Sequence, residues 1–348
     1  MPSPYADLPP RAFWRTAVAG REAAQTAGLY EPKFALTKAH RILTAGSCFA
    51  QHVGRALRGA GFDVIDEEPA PAGMPAALAQ RFGYGLYSAR YGNLYTTRHL
   101  RQLLEEAAGL VSPADPVWER GGRFFDAQRP NVEPDGLDTP DLVALHRRHH
   151  LAAIGRALDA ADVVVFTLGL TEGWIDAETG TAFPTAPETI AGHYDPARHR
   201  FVNDDYPRVL TDFLAARDLI RARRPDMRFV LTVSPVPLTA TMSGQHVEVA
   251  TAGSKAVLRA VAGHLAATCD DIDYFPSYEI ITSQTARGRF YAANRRSVTE
   301  EGVQTAMACF LAAHGVAPLA QAQAPMPDPA SEEDDVICEE ALLDALRR

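Results

Sequence analysis

Ser47 is the residue from which a reaction in this chain would start. In RILTAGSCFAQHVGRAL an apolar run passes through Gly46-Ser47-Cys48-Phe49 into an amphipathic one. A serine between a strand and a helix meets unpaired backbone N–H groups and the positive end of the helix dipole, surroundings that stabilise an oxyanion. A serine that only caps the helix occupies the same place, so this spacing alone leaves both uses open. Cys48 follows at a helix start, where a thiolate would be stabilised, but its side chain is expected to turn into the core. His146, His149 and His150 lie in HRRHH, with His146 and His150 four residues apart on one helix face. No acid stands between them, and Arg147 and Arg148 oppose a cation, so the stretch reads as a solvated basic face and no metal is expected. Cys48, Cys269, Cys309 and Cys338 form no CxxC pair, which points to neither a zinc site nor a disulfide framework. No phosphate-binding glycine loop opens a helix, and no cofactor is expected.

The elements that must position Ser47 follow from hydrophobic periodicity. Short apolar runs predict strands at Arg41–Ala45, Phe62–Ile65, Asp162–Leu168, Arg228–Ser234 and Ile272–Phe275. Amphipathic segments between them predict helices at Phe49–Gly59, Thr97–Ala107, Asp141–Asp159, Tyr206–Arg223, Ser254–Ala267 and Thr299–Ala313. The runs VVVFTL and FVLTVS are apolar on both faces, as in a parallel sheet covered on both sides. The alternation of strand and helix predicts an α/β fold with right-handed crossovers. Ser47 then falls at the carboxyl edge of the sheet, where open α/β sheets bind ligands. Residues 111–140 and 175–205 carry many Pro and Gly residues and read as long irregular loops beside that edge.

Gly46-Ser47-Cys48-Phe49-Ala50 spells the signature of the GSCFA domain family, and further stretches resemble its members. These are YGNLYTTRHL, TLGLTEGW, SPVPLTAT, the Ser254-Lys255 pair and YFPSYEI. That family looks like a branch of the SGNH (GDSL-like) hydrolase superfamily. The resemblance implies a three-layer α/β/α sandwich with a mainly parallel sheet of about five strands. It implies a serine-dependent esterase or O-acyltransferase, often linked to polysaccharides, with Ser47 as nucleophile and a carbohydrate or acylated small molecule as substrate.

The resemblance also says which partners Ser47 needs. SGNH proteins draw their base from Asp-x-x-His before the last helix. Here Asn294 stands for the Asp and Ser297 for the His, so the usual base is missing. His246, in TMSGQHVEV on the loop predicted after the fourth strand, is the expected substitute, with Glu279 as the acid that holds its tautomer. His52 lies closer in sequence, but its place along the helix turns it to another face. The oxyanion donors expected are Ser47 itself, Gly92, Asn93 and Thr171. In GLTE, Thr171 stands for the Asn of GxND and Glu172 for its Asp. Gly169, Glu172 and Arg296 are expected to bind substrate. Arg90, Arg98 and Arg295 flank the same segments, either to pair with an anionic substrate or as ordinary surface arginines.

Composition bounds these readings. The chain has 348 residues, 47% hydrophobic and 22% charged, and a net charge of −9. That acidity argues against a nucleic-acid partner. No apolar run is long enough to span a membrane, no secretory apolar segment is visible, and the expected compartment is the cytoplasm. Residues 1–317 read as one domain and 318–348 as an Ala/Pro-rich, acidic tail with a short helix. A function of another class stays open: a non-catalytic glycan-binding or complex-forming protein on a degenerate SGNH-like fold.

Overall fold

A computed structural model describes residues 3–316; the expected tail helix lies outside them. The strands are β1 (Arg41–Gly46), β2 (Asp63–Val64), β3 (Val163–Leu168), β4 (Arg228–Val233) and β5 (Ile272–Tyr274). The long helices are α1 (Phe49–Gly59), α2 (Thr97–Ala107), α3 (Pro140–Ala160), α4 (Tyr206–Arg223), α5 (Val247–Thr268) and α6 (Glu300–Ala313). The strands form one parallel sheet in the order β2-β1-β3-β4-β5. Both faces are covered, giving a three-layer α/β/α sandwich. Alternation along β3 divides the core: Val164, Phe166 and Leu168 pack with Phe213 and Ile220 of α4 and Leu258 and Leu265 of α5. Val163 and Val165 face the other way, toward Phe49 and Leu57 of α1 and Phe310 of α6. Each buried side chain of this kind contributes about 1.5–3 kcal/mol.

The chain leaves β1 toward β2 on one side and returns as β3 on the other. The order reverses between β1 and β3, and their carboxyl ends align, Gly46 opposite Thr167. Such a switch point opens a crevice above the sheet, and Ser47 stands there. β2 is too short to cover the end of β1. The segment before α2 does so instead: Ser88 donates its N–H to Thr44 O, and Leu94 donates to Gly46 O at 2.8 Å.

The two stretches expected to be irregular carry small antiparallel sheets. Val117–Arg120 pairs with Arg123–Asp126 across Gly121-Gly122, both at positive φ, the backbone of a two-residue hairpin turn. Glu172–Asp176 pairs with Ala182–Phe183 and His199–Asn203. The sequence signal was present in the Gly-Gly pair and in the Trp and Phe residues of these runs, but Pro and Gly density masked it.

HRRHH is not a solvated basic face. The buried stripe of α3 runs through Val143, Arg147, His150, Ala153 and Ile154. His150 is fully buried with Nδ1 2.6 Å from Glu68 Oε2, and Arg147 pairs with Glu106 and Asp126. The charged residues were sequence-local evidence for solvent; the acids that neutralise them come from distant segments. No described helix is long and apolar enough to cross a membrane.

Candidate active site

Gly46 makes the turn that presents Ser47. Its φ is 130°, and a Cβ there would meet the Thr167 carbonyl oxygen at 2.4 Å, so only glycine lets β1 end this close to β3. Ser47 donates its N–H to Thr167 O at 3.0 Å. Two residues on, α1 begins, with Cys48 buried at its start. The Ser47 side chain is 1% exposed, and its hydroxyl has no hydrogen-bond partner among the described residues. Buried polar atoms are usually paired; Ser47 Oγ shares its unpartnered state with Thr44 Oγ1 and Thr167 Oγ1 on the adjoining strands.

Two neighbouring loops close around Ser47. Gly169, just past β3, lies so near that a Cβ would touch Ser47 Cβ at 2.8 Å. Gly169 and Leu170 both donate N–H to Tyr95 O, at 3.1 and 2.9 Å. Asn93 is buried, with its Oδ1 accepting from Tyr87 Oη and from Gln51 Nε2. Tyr87 Oη also lies 3.2 Å from Ser47 O. That network fixes the Asn93 carbonyl end and leaves Nδ2 as the donor end. Gly92, at φ 70°, forms the turn before it. Tyr87 and Gln51 were missed by sequence reading, although Gln51 lies one helical turn beyond Ser47 and so on its side of α1.

Thr171 does not serve as an oxyanion donor in this arrangement. It is buried, its hydroxyl donates to Asn203 Oδ1 at 2.6 Å, and its N–H donates to Ser254 Oγ at 3.1 Å. Ser47's own N–H is likewise engaged by Thr167. Of the donors expected, the Asn93 amide is the one whose orientation is set by side-chain hydrogen bonds to its oxygen.

His246, Glu279 and Ser47 are not brought together. α5 starts at Val247, seven residues before the expected start, because Gly253 is tolerated inside the helix. His246 is therefore its N-cap, exposed, with Nδ1 accepting from Glu248 N at 3.2 Å. Glu279 sits in the short helix Ser277–Thr282, paired with Arg259 Nε and accepting from Tyr274 Oη at 2.7 Å. Asn294 and Ser297 bond each other instead, Nδ2 to Oγ at 2.8 Å. Arg296 donates its backbone N–H to Asn294 Oδ1 at 2.9 Å. Arg90 is buried, donating to Phe82 O and Val132 O, and Arg98 pairs with Asp204; both are structural. Arg295 is exposed.

Lys255 is the titratable group that the fold does deliver. It is 1% exposed, and its Nζ donates to Gly169 O at 2.7 Å. With Ser254 on Thr171 N, the Ser254-Lys255 pair straps the Gly169–Thr171 turn against Ser47. Sequence reading had noted the pair as family-like but assigned it no role, since a lysine on an amphipathic helix usually faces water.

A cleft of about 530 Å³ opens on the outer side of this turn, with Tyr95 and Leu170 in its wall. Glu172 lines it and is 8% exposed; burial pushes its carboxyl up, opposed by hydrogen bonds from Thr241 Oγ1 and Met242 N.

The GSCFA family model matches residues 41–310. The chain belongs to the GSCFA family. The match begins at β1, takes in the serine and the two loops around it, and ends within α6. Comparison with curated proteins and with solved structures finds no match.

Proposed function

We propose that the chain is a serine-dependent esterase or O-acyltransferase that forms an acyl-enzyme on Ser47, with a carbohydrate as acceptor. One observation carries the reading: a hydroxyl held buried and unpartnered at the switch point of a parallel sheet, beside a helix N-terminus. Ser47 Oγ attacks the acyl carbonyl carbon and its proton passes to the Lys255 amine, the kind of base that Ser–Lys hydrolases use. The Asn93 amide and the start of α1 stabilise the oxyanion. The leaving alcohol takes the proton. Water or a sugar hydroxyl then attacks the ester carbon, the Oγ–carbon bond breaks, and Ser47 regains its proton. Substrate enters from the cleft, past Tyr95 and Leu170, so that wall must move. The carbohydrate acceptor rests on the resemblance of the family to SGNH hydrolases. Cys48, Cys269 and Cys309 are free thiols, which suits the cytoplasm.

A second reading has its own support. The burial of Ser47 and the Asn294–Ser297 pair in place of Asp-x-x-His suit a non-catalytic glycan-binding or complex-forming protein. A fluorophosphonate probe separates the two: labelling of the wild type that is lost in Ser47→Ala supports the enzyme. A folded wild type that stays unlabelled across pH 6–10 would falsify it.

A further inference from the structure

The cleft beside the Ser47 turn has a chemistry that selects its occupant. Its wall is built from Leu170, Trp174, Phe183, Tyr194, Phe201 and Leu238. Trp174 is held edge-on by Tyr194 and Phe201, with ring centroids 5.5 and 5.9 Å away. Its volume, about 530 Å³, is that of a small-molecule site. Much of the polar capacity of the lining is already spent on the protein. Thr241 Oγ1 donates to Glu172 Oε1 at 2.7 Å, and Glu172 also accepts from Met242 N. Thr96 Oγ1 accepts from His99 N as the cap of α2. The hydroxyls of Thr185, Thr189 and Tyr194, the indole N–H of Trp174 and a ring nitrogen of His99 remain. The lining is mostly apolar, so a bound sugar would leave part of its ring of hydroxyls without partners, which costs free energy at each group. Among the described residues no Arg or Lys lines the cleft, whereas Glu172 and Glu188 do, so a phosphorylated or carboxylated group is repelled.

We propose that this cleft seats the acyl group of the substrate, a neutral hydrocarbon chain longer than acetyl. The assignment rests on the acyl-enzyme reading for its orientation, with the carbonyl end at Tyr95 and Leu170, next to Gly169 and Ser47. A carbohydrate acceptor then approaches from elsewhere along the carboxyl edge.

Gly173 supplies the test. It lies in the cleft wall, has no positive φ, and a Cβ there would meet only Thr96 Cγ2, at 3.8 Å. Gly173→Leu therefore fills the cleft without straining the backbone. The measurement is kcat/KM for p-nitrophenyl acetate, butyrate and octanoate in the wild type and in Gly173→Leu. The expected result is a rise of about fourfold per added CH₂ in the wild type, abolished in Gly173→Leu, whose folding is checked by circular dichroism. Equal or falling kcat/KM with chain length overturns the proposal. If the wild type hydrolyses no ester, the acyl-enzyme reading fails by itself, and calorimetric titration decides the cleft. Binding of methyl octanoate that Gly173→Leu abolishes sustains a hydrocarbon site. No binding of methyl octanoate, or binding of cellobiose in its place, overturns it.

Discussion

The Ser47 hydroxyl is buried without a partner, and an unsatisfied buried hydroxyl costs about 1–3 kcal/mol. Ser47→Ala is therefore expected to raise stability by about 1 kcal/mol in urea unfolding while abolishing probe labelling. A loss of stability would mean that the hydroxyl is a structural donor. Lys255 is tested by a pair of variants. Lys255→Met is expected to lower labelling by about 10²-fold or more. Lys255→Arg keeps an N–H donor on Gly169 O but cannot accept a proton, so it should not restore labelling; restoration would reduce Lys255 to a strap. His246→Gln removes a helix cap, costs about 1 kcal/mol and leaves labelling unchanged, both read with folding checked by circular dichroism.

At the scale of elements, glycines set how closely the strand ends meet. Gly46→Ala would drive a Cβ to 2.4 Å from the Thr167 oxygen at a φ of 130°, and is expected to cost about 3 kcal/mol or more. Gly169→Ala would meet Ser47 Cβ at 2.8 Å and Tyr95 O at 3.0 Å, a cost of about 1–3 kcal/mol with displacement of the serine. Gly253 in α5 has nothing within 4 Å of its Cβ position. Gly253→Ala is therefore expected to stabilise by about 1 kcal/mol, the ordinary helix propensity difference. Urea midpoints that failed to rank the three in this order would refute the close-approach argument. The early start of α5 belongs to this scale as well: 22 residues of helix packed on α4 and β4 absorb two glycines, Gly253 and Gly263.

For the whole molecule, buried histidines set the response to acid. Desolvation lowers His99 and His314 to about 4 and His150 to about 3. Folded values below the unfolded 6.5 mean that the unfolded chain binds protons first. Their contribution to stability is present above pH 6.5 and is lost as the pH falls toward the folded values. For the fully buried His99 and His150 the loss is about 1.4 kcal/mol per pH unit each. Urea midpoints at pH 7 and pH 5 should fall accordingly, and His99→Phe should flatten the slope. An unchanged slope would show that these imidazoles are protonated in the fold.

The strands, the long helices and the place of Ser47 at the end of β1 were legible in the sequence. Periodicity and apolar runs are set by near neighbours, and βαβ alternation leaves few topologies. The hairpin at Gly121-Gly122 was written there too, but diluted by surrounding Pro and Gly. What only the tertiary structure decided depends on contacts between distant segments. Asn93 is oriented by Tyr87 and Gln51, and Thr171 is consumed by Asn203 and Ser254. Lys255 turns inward because Gly169 O, 86 residues away, accepts its hydrogen bond. Arg147 and His150 are buried because Glu106, Asp126 and Glu68 meet them. A charged side chain looks solvent-facing in one dimension, and only the fold supplies the partner that allows its burial.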